Sequence, residues 1–494
     1  MHRILLAASL AALLPLTALA QSVERLWNNN CASCHGRSGE GGGAGTRSLL
    51  TDRARAQDLD RPFFDAVRAG VPDTAMPGFS ATLTDRQMWG LIVHLRELQH
   101  RHFRESGGGP SPQRGVYTST HHAYTVESIV SRGPDIPWAL DWLPTGEMLI
   151  TERPGTLRVF SNGKLSPPAA NIPKVLDRGQ GGLMEVAVHP HYDRNGFIFL
   201  AYSHPGEHDR RTSMTRIVRG KLSPPAAASP NAPWTWSDET VIFQADQSHY
   251  VRSDVHFGCR IAFDPTDPDI LFFSHGERGH ADRAQDLARP NGKILRVRID
   301  GSIPDDNPFR SRPGALAAVW SFGHRNPQGL VFDLKGNLWD TEHGPRGGDE
   351  LNLILPARNY GWPIVSLGIE YSDAPFRTPW QDPLPANPAD RFVLPTYRWL
   401  PSIGACGLDV CRPGPAGEAF PQWRGDLIAG GLSGNNVDRL RVGVNPDGST
   451  SLIEHEELLV GVGRVRDVAT APDGSIYVIL NGPDKVIRLA PVKP

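Results

Sequence analysis

The chain has 494 residues, a formal net charge of −2 and a sequence pI of about 6.8. Its length allows more than one hydrophobic core, and the near balance of charge excludes a strong attraction to nucleic acid or to an anionic membrane. Glycine and proline are abundant, at 51 and 44 residues, which favours short strands joined by tight turns over a helical bundle.

The first twenty residues have the pattern of a cleaved signal peptide. A basic start is followed by an apolar run from Ile4 to Leu19, which closes on the small-residue motif Ala18-Leu19-Ala20. The run is short for a membrane span and ends in a typical cleavage pattern. We therefore expect a periplasmic or secreted protein with no transmembrane span after residues 1–20 are removed. An uncleaved anchor is the alternative.

Residues 21–104 are predicted to form a small all-α cytochrome c domain. The pattern Cys-x-x-Cys-His occurs at Cys31, Cys34 and His35. It indicates a haem attached through two thioether bonds, with the histidine as an axial iron ligand. A redox dithiol would not need the histidine, and a zinc site would need a second cysteine pair. Met76, in an irregular Met-Pro-Gly loop, is the expected sixth ligand, because a Met/His pair suits electron transfer.

A helix is predicted from Asp85 to about Gln99. Thr84 and Gln87 form a capping pattern at its start. Its apolar face repeats at helical spacing and contains Met88, Leu91, Ile92 and Leu95. Three histidines are alternative iron ligands that we interpret as helix-surface residues, namely His94, His100 and His102. An opening helix, the cysteine motif, the methionine loop and this closing helix together resemble class I cytochromes c.

A repeated unit follows a linker that is rich in Gly, Pro and Ser and is predicted over residues 105–123. From 124 to 494, an apolar strand, a turn of Pro, Asp or Gly and a second apolar strand recur about every 60 residues. The six copies begin near Pro137, Gly182, Arg260, Gln328, Gly407 and Arg466. A single hairpin cannot bury its own face, so the repeats predict a mainly β fold, a six-bladed β-propeller. A β-sandwich with an extra domain explains the repetition less well.

Arginines are concentrated at the predicted strand starts. Arg464 and Arg466 lie two residues apart, so both point the same way from one strand. With Arg260 and Arg325 they form a candidate cationic rim that could hold a polycarboxylate through bidentate hydrogen bonds. The alternative is that these arginines pair with acidic residues between the blades.

The three remaining cysteines lie in the propeller region. Cys406 and Cys411 are close in sequence and could form a local disulfide in an oxidising compartment. Cys259 is left over and is expected to be a small buried side chain.

Residues 124 to about 490 resemble the soluble quinoprotein sugar dehydrogenases, also called the glucose/sorbosone dehydrogenase family. The resemblance rests on Gly-His-Arg-Asn-Pro-Gln-Gly at 323–329, then Glu-x-Gly-Pro, Asp-Glu-Leu-Asn, and Asn-Tyr-Gly-Trp-Pro at 359–363. These proteins are six-bladed propellers that use pyrroloquinoline quinone (PQQ) and calcium. The resemblance implies an oxidoreductase that oxidises an aldose or sugar-like alcohol by hydride transfer to calcium-bound PQQ. Electrons would pass to the haem and then to a cytochrome or a membrane respiratory component.

The resemblance also implies roles for individual residues. His256 would be the general base for the substrate hydroxyl, and Arg325 would stabilise negative charge on the quinone. The other expected PQQ contacts are Gln180, Asn326, His343, Arg464 and Arg466. The expected calcium ligands are the carbonyls of Gly344 and Pro345 beside PQQ and, at a second site, Glu350 and the carbonyl of Tyr360.

The sequence departs from the family pattern at three places. The lysine that contacts PQQ has no counterpart in the stretch Gly431–Asn435, Val255 replaces an aspartate before the base, and His343 replaces a glutamine. These changes affect the sugar contacts more than the cofactor, and Asp254 or Gln285 is a candidate for orienting substrate. Two other functions stay open, a calcium-dependent lactonase-like propeller hydrolase and a non-catalytic propeller that binds a sugar or partner and docks the cytochrome.

Overall fold

The computed structural model describes residues 22–43, 46–56, 59–229, 231–376 and 391–492. The predicted signal peptide, residues 1–20, lies outside the described residues. Within the described ranges, no helix combines the length and the apolar composition needed to cross a membrane.

The described residues before Ser106 form helices and turns, with no strand among them. The helices are α1 (Val23–Asn30), α2 (Ala32–His35), α3 (Asp60–Ala69) and α4 (Asp85–Glu105), with a 3-10 turn at Arg53–Arg55. α4 starts at the predicted capping box, where Thr84 and Gln87 accept hydrogen bonds from each other's backbone N–H. It extends beyond the predicted end, and its predicted apolar face is buried against α1 and α3.

The rest of the described chain folds into six antiparallel sheets, which we number as blades 1 to 6. Blade 1 contains β3 (Pro137–Trp142), β4 (Met148–Glu152), β5 (Thr156–Ser161) and β6 (Lys164–Leu165), after β1 (Val116–Thr118) and β2 (Ala123–Val130). Blade 2 contains β7 (Leu183–Val188), helix α5 (Tyr192–Asn195), β8 (Ile198–Pro205), β9 (Ser213–Ser223) and β10 (Thr235–Gln244). Blade 3 contains β11 (Ile261–Phe263), β12 (Ile270–His275), β13 (Lys293–Arg298) and β14 (Val319–Phe322).

Blades 4 to 6 complete the ring. Blade 4 contains β15 (Pro327–Phe332), β16 (Leu338–Glu342), β17 (Asp349–Leu353) and β18 (Tyr397–Trp399). Blade 5 contains β19 (Ala405–Val410), β20 (Leu427–Gly431), β21 (Asn436–Val444) and β22 (Thr450–Val460). Blade 6 contains β23 (Arg464–Thr470), β24 (Ile476–Asn481) and β25 (Lys485–Pro491), joined by β2 and β1.

The six-bladed propeller is confirmed, and each predicted repeat supplies the first two strands of a blade. β2 pairs with β25, so the two ends of the propeller sequence lie in one sheet and close the ring. β1, which comes from the predicted linker, extends this sheet by pairing with β2.

Acidic side chains on the innermost strands connect neighbouring blades. Asp141 of β3 accepts a 2.7 Å hydrogen bond from the backbone N–H of Val188 in blade 2. Asp409 of β19 accepts one of 2.6 Å from Thr470 in blade 6. Burial raises the pKa of Asp141 to about 6. These contacts hold the innermost strands around a central channel.

Arg260 pairs with acidic residues of other blades, which was the alternative to a place in the cationic rim. It is buried and forms ion pairs with Glu185 at 3.0 Å and Asp467 at 2.8 Å, which belong to blades 2 and 6. Because a buried guanidinium needs paired carboxylates, Arg260 crosses the channel and does not join the cationic rim.

Cys406 and Cys411 are both free thiols. Cys406 lies within β19, and Cys411 directly follows that strand. Extended backbone separates them by roughly 16 Å, whereas a disulfide needs Cα atoms within about 7 Å. A local disulfide between them is therefore ruled out. Cys259 is fully buried, as expected.

Candidate active site

A cavity of about 610 Å³, which we call the channel cavity, opens where the innermost strands begin. Its wall includes Trp138 of β3, Met184 of β7, Gln328 of β15 and Arg466 of β23. In a propeller the innermost strands all start at the same end, so residues far apart in sequence meet there.

His256 lies in the loop before β11, beside this cavity. Its backbone has φ +56°, and its N–H donates a 2.8 Å hydrogen bond to Oε1 of Gln180, a cavity-lining residue. Its Nδ1 is hydrogen-bonded to the carboxylate of Glu277, and its side chain is 13% exposed. A carboxylate at Nδ1 selects the tautomer with Nδ1–H, which leaves Nε2 as the basic nitrogen.

The pKa values of this pair suit a base that works at neutral pH. Burial lowers the pKa of His256, the charge of Arg325 lowers it further, and Glu277 acts in the opposite direction. Burial raises the pKa of Glu277, but the hydrogen bond and charge of His256 outweigh it, so that pKa lies below its ordinary value. We therefore expect a neutral imidazole held by an ionised carboxylate.

Sequence reasoning missed Glu277. The residue follows β12 and is nearly buried, and nothing in its local sequence marks it as a partner of a histidine 21 positions earlier. The available signal was a glutamate four positions after the apolar run Ile270–Phe273, where a buried charge needs a partner.

Arg325 and Asn326 precede β15 and are buried beside the base. Arg325 Nη1 donates to the carbonyl of His343 at 3.0 Å, and Asn326 Oδ1 accepts from the N–H of Gly258 at 3.1 Å. Arg325 Nε and Asn326 Nδ2 are buried without a hydrogen-bond partner among the described residues. Buried donors are rarely left unpaired, so this pair points to an acceptor-rich ligand.

Arg466 and His343 add two more donor groups of this kind. Arg466 Nη1 donates to Gln328 Oε1 at 3.1 Å, while Arg466 Nε and His343 Nε2 have no partner in the described structure. Burial lowers the pKa of Arg466 to about 10. Burial and the charges of Arg466 and Arg325 hold the pKa of His343 well below its usual range. Arg464 lies on the same cavity wall but is exposed.

The channel cavity therefore suits PQQ, a planar quinone with carboxylates. Gln180, His343, Arg464 and Arg466 lie on its wall. His256, Arg325 and Asn326 do not line it but lie next to wall residues, in contact with Gln180, His343 and Gln328 respectively. Leu432 and Ser433 occupy the wall where a lysine is absent. The fit rests on charge and hydrogen-bond demand, because guanidinium groups bind carboxylates in bidentate geometry.

The candidates for orienting substrate lie at the edge. The side chain of Asp254 is ion-paired with Arg178 at 2.5 Å. Gln285 donates to Asn359 at 3.1 Å and accepts from it at 2.8 Å. Neither side chain lines the channel cavity.

The first expected calcium site lies in the turn after β16. Gly344 lines the channel cavity, and its N–H donates to Asp349 at 3.1 Å. The carbonyl of Pro345 accepts a 2.8 Å hydrogen bond from the N–H of Gly348. It also accepts a 3.4 Å hydrogen bond from Oγ of Ser402, so these residues supply at most part of a coordination shell, and waters or the cofactor would supply the rest.

The second expected site has a fuller set of oxygen ligands. Glu350 lies opposite Glu342, and Asp340 opposite Asn352, across the β16–β17 pair, so the four side chains share one face. Both carboxylate oxygens of Asp340 are buried without a partner among the described residues. Burial, reinforced by Glu342, raises the pKa of Glu350 to about 8 and that of Asp340 above its usual range. Such oxygens suit a hard cation.

His324 and Tyr360 lie next to these carboxylates. Donor atoms of His324, Asp340 and Glu342 lie within 4.8 Å of one another, and all three residues are buried. The Tyr360 ring stacks on His324 with 4.4 Å between centroids. The family resemblance implied Glu350 and Tyr360 for this site, and sequence reasoning did not single out His324, Asp340 or Glu342 as ligands.

A separate cavity of about 500 Å³, which we call the haem cavity, lies in the helical domain. Cys31, His35 and Met76 all line it, and Cys34 lines an adjoining pocket with them. Burial lowers the pKa of His35, so its imidazole is neutral and able to bind iron, and its Nδ1 is buried without a partner in the described structure. The remaining wall is largely apolar, so this cavity fits a covalently attached haem.

None of the three alternative histidine ligands lines the haem cavity. His102 is exposed, as interpreted from the sequence. His94 is buried at 8% exposure beside Trp27, so its interpretation as a surface residue was wrong. Its helix face packs inward because α4 also contacts the propeller.

Comparisons with known proteins agree with both parts of the chain. The family model described as Glucose / Sorbosone dehydrogenase matches residues 134–488, and the one described as Cytochrome C oxidase, cbb3-type, subunit III matches residues 18–95. Aldose sugar dehydrogenase YliI of Escherichia coli (strain K12) is 37% identical over 349 residues, which cover 70% of this chain and 87% of that protein.

Two solved structures are similar to the propeller. The apo-form of the soluble aldose sugar dehydrogenase from Escherichia coli has a TM-score of 0.65 at 34% identity, covering 75% of this chain and 100% of that one. The PQQ-bound form of the aldose sugar dehydrogenase from Streptomyces coelicolor has a TM-score of 0.57 at 25% identity, covering 75% and 98%.

Proposed function

The chain belongs to the glucose/sorbosone dehydrogenase family and carries a cytochrome domain at its N-terminus, and from this premise we propose that it is a quinohaemoprotein sugar dehydrogenase. Its substrate is an aldose or a sugar-like alcohol, and its cofactors are PQQ, Ca²⁺ and a covalent haem. One observation carries the proposal, namely that a cavity with unpaired donor groups and an adjacent His256–Glu277 pair occurs in one chain with a haem cavity.

The protein residues prepare the substrate hydroxyl for oxidation. His256 Nε2 accepts the hydroxyl proton while Glu277 holds the ring and stabilises the imidazolium that forms. For an aldose, removal of this proton from the C1 hydroxyl and of a hydride from C1 gives a lactone. PQQ, when bound, supplies the hydride acceptor. Arg325 lies close enough to His256 to lower its pKa, and it stabilises negative charge that develops beside the base.

The cofactors are held by the groups that lack partners. Arg325, Asn326, His343 and Arg466 would hold the oxygen atoms of PQQ, and Gln180 and Arg464 would border it. The carbonyls of Gly344 and Pro345 would hold one calcium ion. The buried carboxylates beside Glu350 and Tyr360 would hold a second, whose charge would neutralise theirs.

The haem domain carries the electrons away. Each sugar oxidised would release two electrons and two protons. His35 and Met76 would hold the haem iron, and the bound haem would supply one-electron transfer to an external acceptor, a cytochrome or a membrane respiratory component. A Met/His ligand pair raises the reduction potential. The signal-peptide pattern supports a periplasmic location.

The unpaired arginine donors separate this function from its alternatives. A calcium-dependent hydrolase would not need a cavity wall with unpaired guanidinium donors that bind carboxylates. A binding module would not need a buried histidine–glutamate pair whose pKa values favour proton abstraction.

The proposal is tested by loading the chain with PQQ and Ca²⁺, adding aldoses and polyols without oxygen, and recording the ferrous haem bands and the lactone formed. We expect haem reduction with at least one aldose and none without PQQ. If the haem stays ferric with every sugar and alcohol while PQQ is bound, the proposal is wrong. Substrate turnover that persists without PQQ would favour the hydrolase.

A further inference from the structure

The turn at residues 343–348, which we call the shared loop, contacts both parts of the molecule. His343 and Gly344 face the channel cavity. On its other side, Gly347 has φ +80°, and a Cβ there would lie 2.8 Å from a methyl of Val93 on α4. Only glycine combines this backbone with so close an approach, so the sequence of the loop is fitted to the haem domain.

An apolar cluster lies beside the shared loop. Val23 of α1, Val93 of α4 and Ile369 of the propeller are each fully buried, and Leu400 packs against them. The N–H of Val23 also donates a 2.8 Å hydrogen bond to the carbonyl of Asp373. Burial of this kind excludes water from a contact between the two domains.

Ion pairs surround this apolar cluster. Arg346 of the shared loop donates two hydrogen bonds of 2.6 Å to Glu97 of α4 and one of 2.8 Å to Asp373. Asp60 of α3 is ion-paired with Arg398 of β18. A bidentate arginine–carboxylate pair fixes orientation as well as distance.

The same helix connects the two cavities. Leu91, Ile92 and Leu95 of α4 line the haem cavity, and Glu97, half a turn further on, lines the mouth of the channel cavity. The haem domain thus forms part of the wall at that mouth.

We propose that the interface made by the shared loop, the Val23–Val93–Ile369 cluster and the Arg346–Glu97 pair holds the haem domain in one orientation over the channel cavity, and that electrons leave the cavity across it. This inference rests on the proposed function for its second half. The two electrons from each sugar cross singly to ferric iron, and an external one-electron acceptor reoxidises it after each transfer.

The test is Ile369→Asp, which places a carboxylate in the buried cluster, against Ile453→Asp as the matched control, since Ile453 is 59% exposed on β22. In the PQQ-free chain, hydrogen–deuterium exchange should lose protection over residues 89–97 in Ile369→Asp only. With PQQ, calcium and sugar, haem reduction should slow by about tenfold without being abolished, because the linker keeps the released domain nearby. Reduction of a small phenazine mediator should stay unchanged.

A milder variant guards against misfolding. Glu97→Gln keeps the shape of the side chain and removes the ion pair with Arg346 across the interface, and it should slow haem reduction by about twofold to fivefold. Unchanged protection and unchanged haem reduction in both variants would overturn the inference. If the unmodified chain reduces neither mediator nor haem with any sugar, the proposed function fails, while the exchange measurement still decides whether this interface holds the domain.

Discussion

The two cavities of the molecule differ in what their walls leave unsatisfied. The channel cavity is lined by guanidinium, amide and imidazole groups, several with donor atoms that lack a partner in the described structure. The haem cavity is lined mainly by aliphatic and aromatic side chains, with a thiol, a thioether and one imidazole. Each wall indicates a different ligand, a carboxylated polar cofactor in one and an apolar macrocycle with iron in the other.

The two sites also differ in how far local sequence predicts them. Three of the four expected haem-binding residues, Cys31, Cys34 and His35, occur in one short contiguous motif. The channel cavity is assembled from the starts of four innermost strands and the loops before the other two, spread over more than 300 residues from Trp138 to Arg466. A site built from separate blades depends on the closure of the ring. Because each blade supplies different groups, single substitutions can affect ligand binding and chemistry separately.

The largest effect is expected for His256→Ala. Without the base, sugar oxidation should fall by about 10³-fold while PQQ still binds, because a positioned general base contributes roughly 10²- to 10⁴-fold. Stopped-flow reduction of a mediator measures it, and His208→Ala, at an exposed position, is the control. Turnover close to that of the control would contradict the assignment of the base.

Arg466→Gln is expected to weaken PQQ binding by about 10- to 100-fold, since a hydrogen bond to a charged group contributes roughly 1.5–3 kcal/mol. Arg464→Gln should weaken it less, because Arg464 is exposed while the Nε of Arg466 is buried and unpaired. Titration of the PQQ-free chain measures both. Equal losses of affinity, or a larger loss for Arg464→Gln, would mean that the more buried arginine does not contribute more to PQQ binding.

Glu277→Gln should lower kcat by about tenfold and move the acid limb of the pH–rate profile to lower pH. The base must be neutral, and Glu277 raises the pKa of His256, so removing the carboxylate lowers that pKa. The profile of kcat/KM against pH measures the shift. A limb that moves to higher pH would show that Glu277 does not act on His256 as described.

The smallest effect on sugar chemistry is expected for Met76→Leu. The haem should stay attached. Its reduction potential should decrease, because a methionine ligand raises it. The size of the decrease should lie within the roughly 0.8 V range over which axial ligands change haem potentials. Mediator reduction at the channel cavity should be unchanged. Met88→Leu, at a buried methionine of α4 outside the haem cavity, is the control in a redox titration. The same potential in both variants would exclude Met76 as a ligand.

Repetition and contiguous motifs made much of the molecule predictable. The six blades and the start of α4 were predicted from hydrophobic period and capping, and the residues of the Cys-x-x-Cys-His motif line the haem cavity or its adjoining pocket. The expected PQQ contacts came from resemblance to a family, and no spacing rule would place Gln180 beside His256, because blade packing brings them together.

Contacts across domains could not be predicted. The pairing of Glu97 with Arg346 spans 249 residues and depends on how two separate cores dock. Arg260 was misplaced for a related reason, since strand position does not tell whether a guanidinium faces the cavity or the carboxylates of other blades. Glu277 was missed because its partner lies in a neighbouring loop.

The central claim is that sugar oxidation in the propeller reduces the haem of the same chain. The most direct test is to mix the PQQ- and calcium-loaded chain with a saturating aldose, without oxygen, at several protein concentrations and follow the ferrous haem bands. The account predicts a first-order rate constant that does not change with protein concentration. A rate constant that rises in proportion to protein concentration, or a haem that stays ferric, would contradict it.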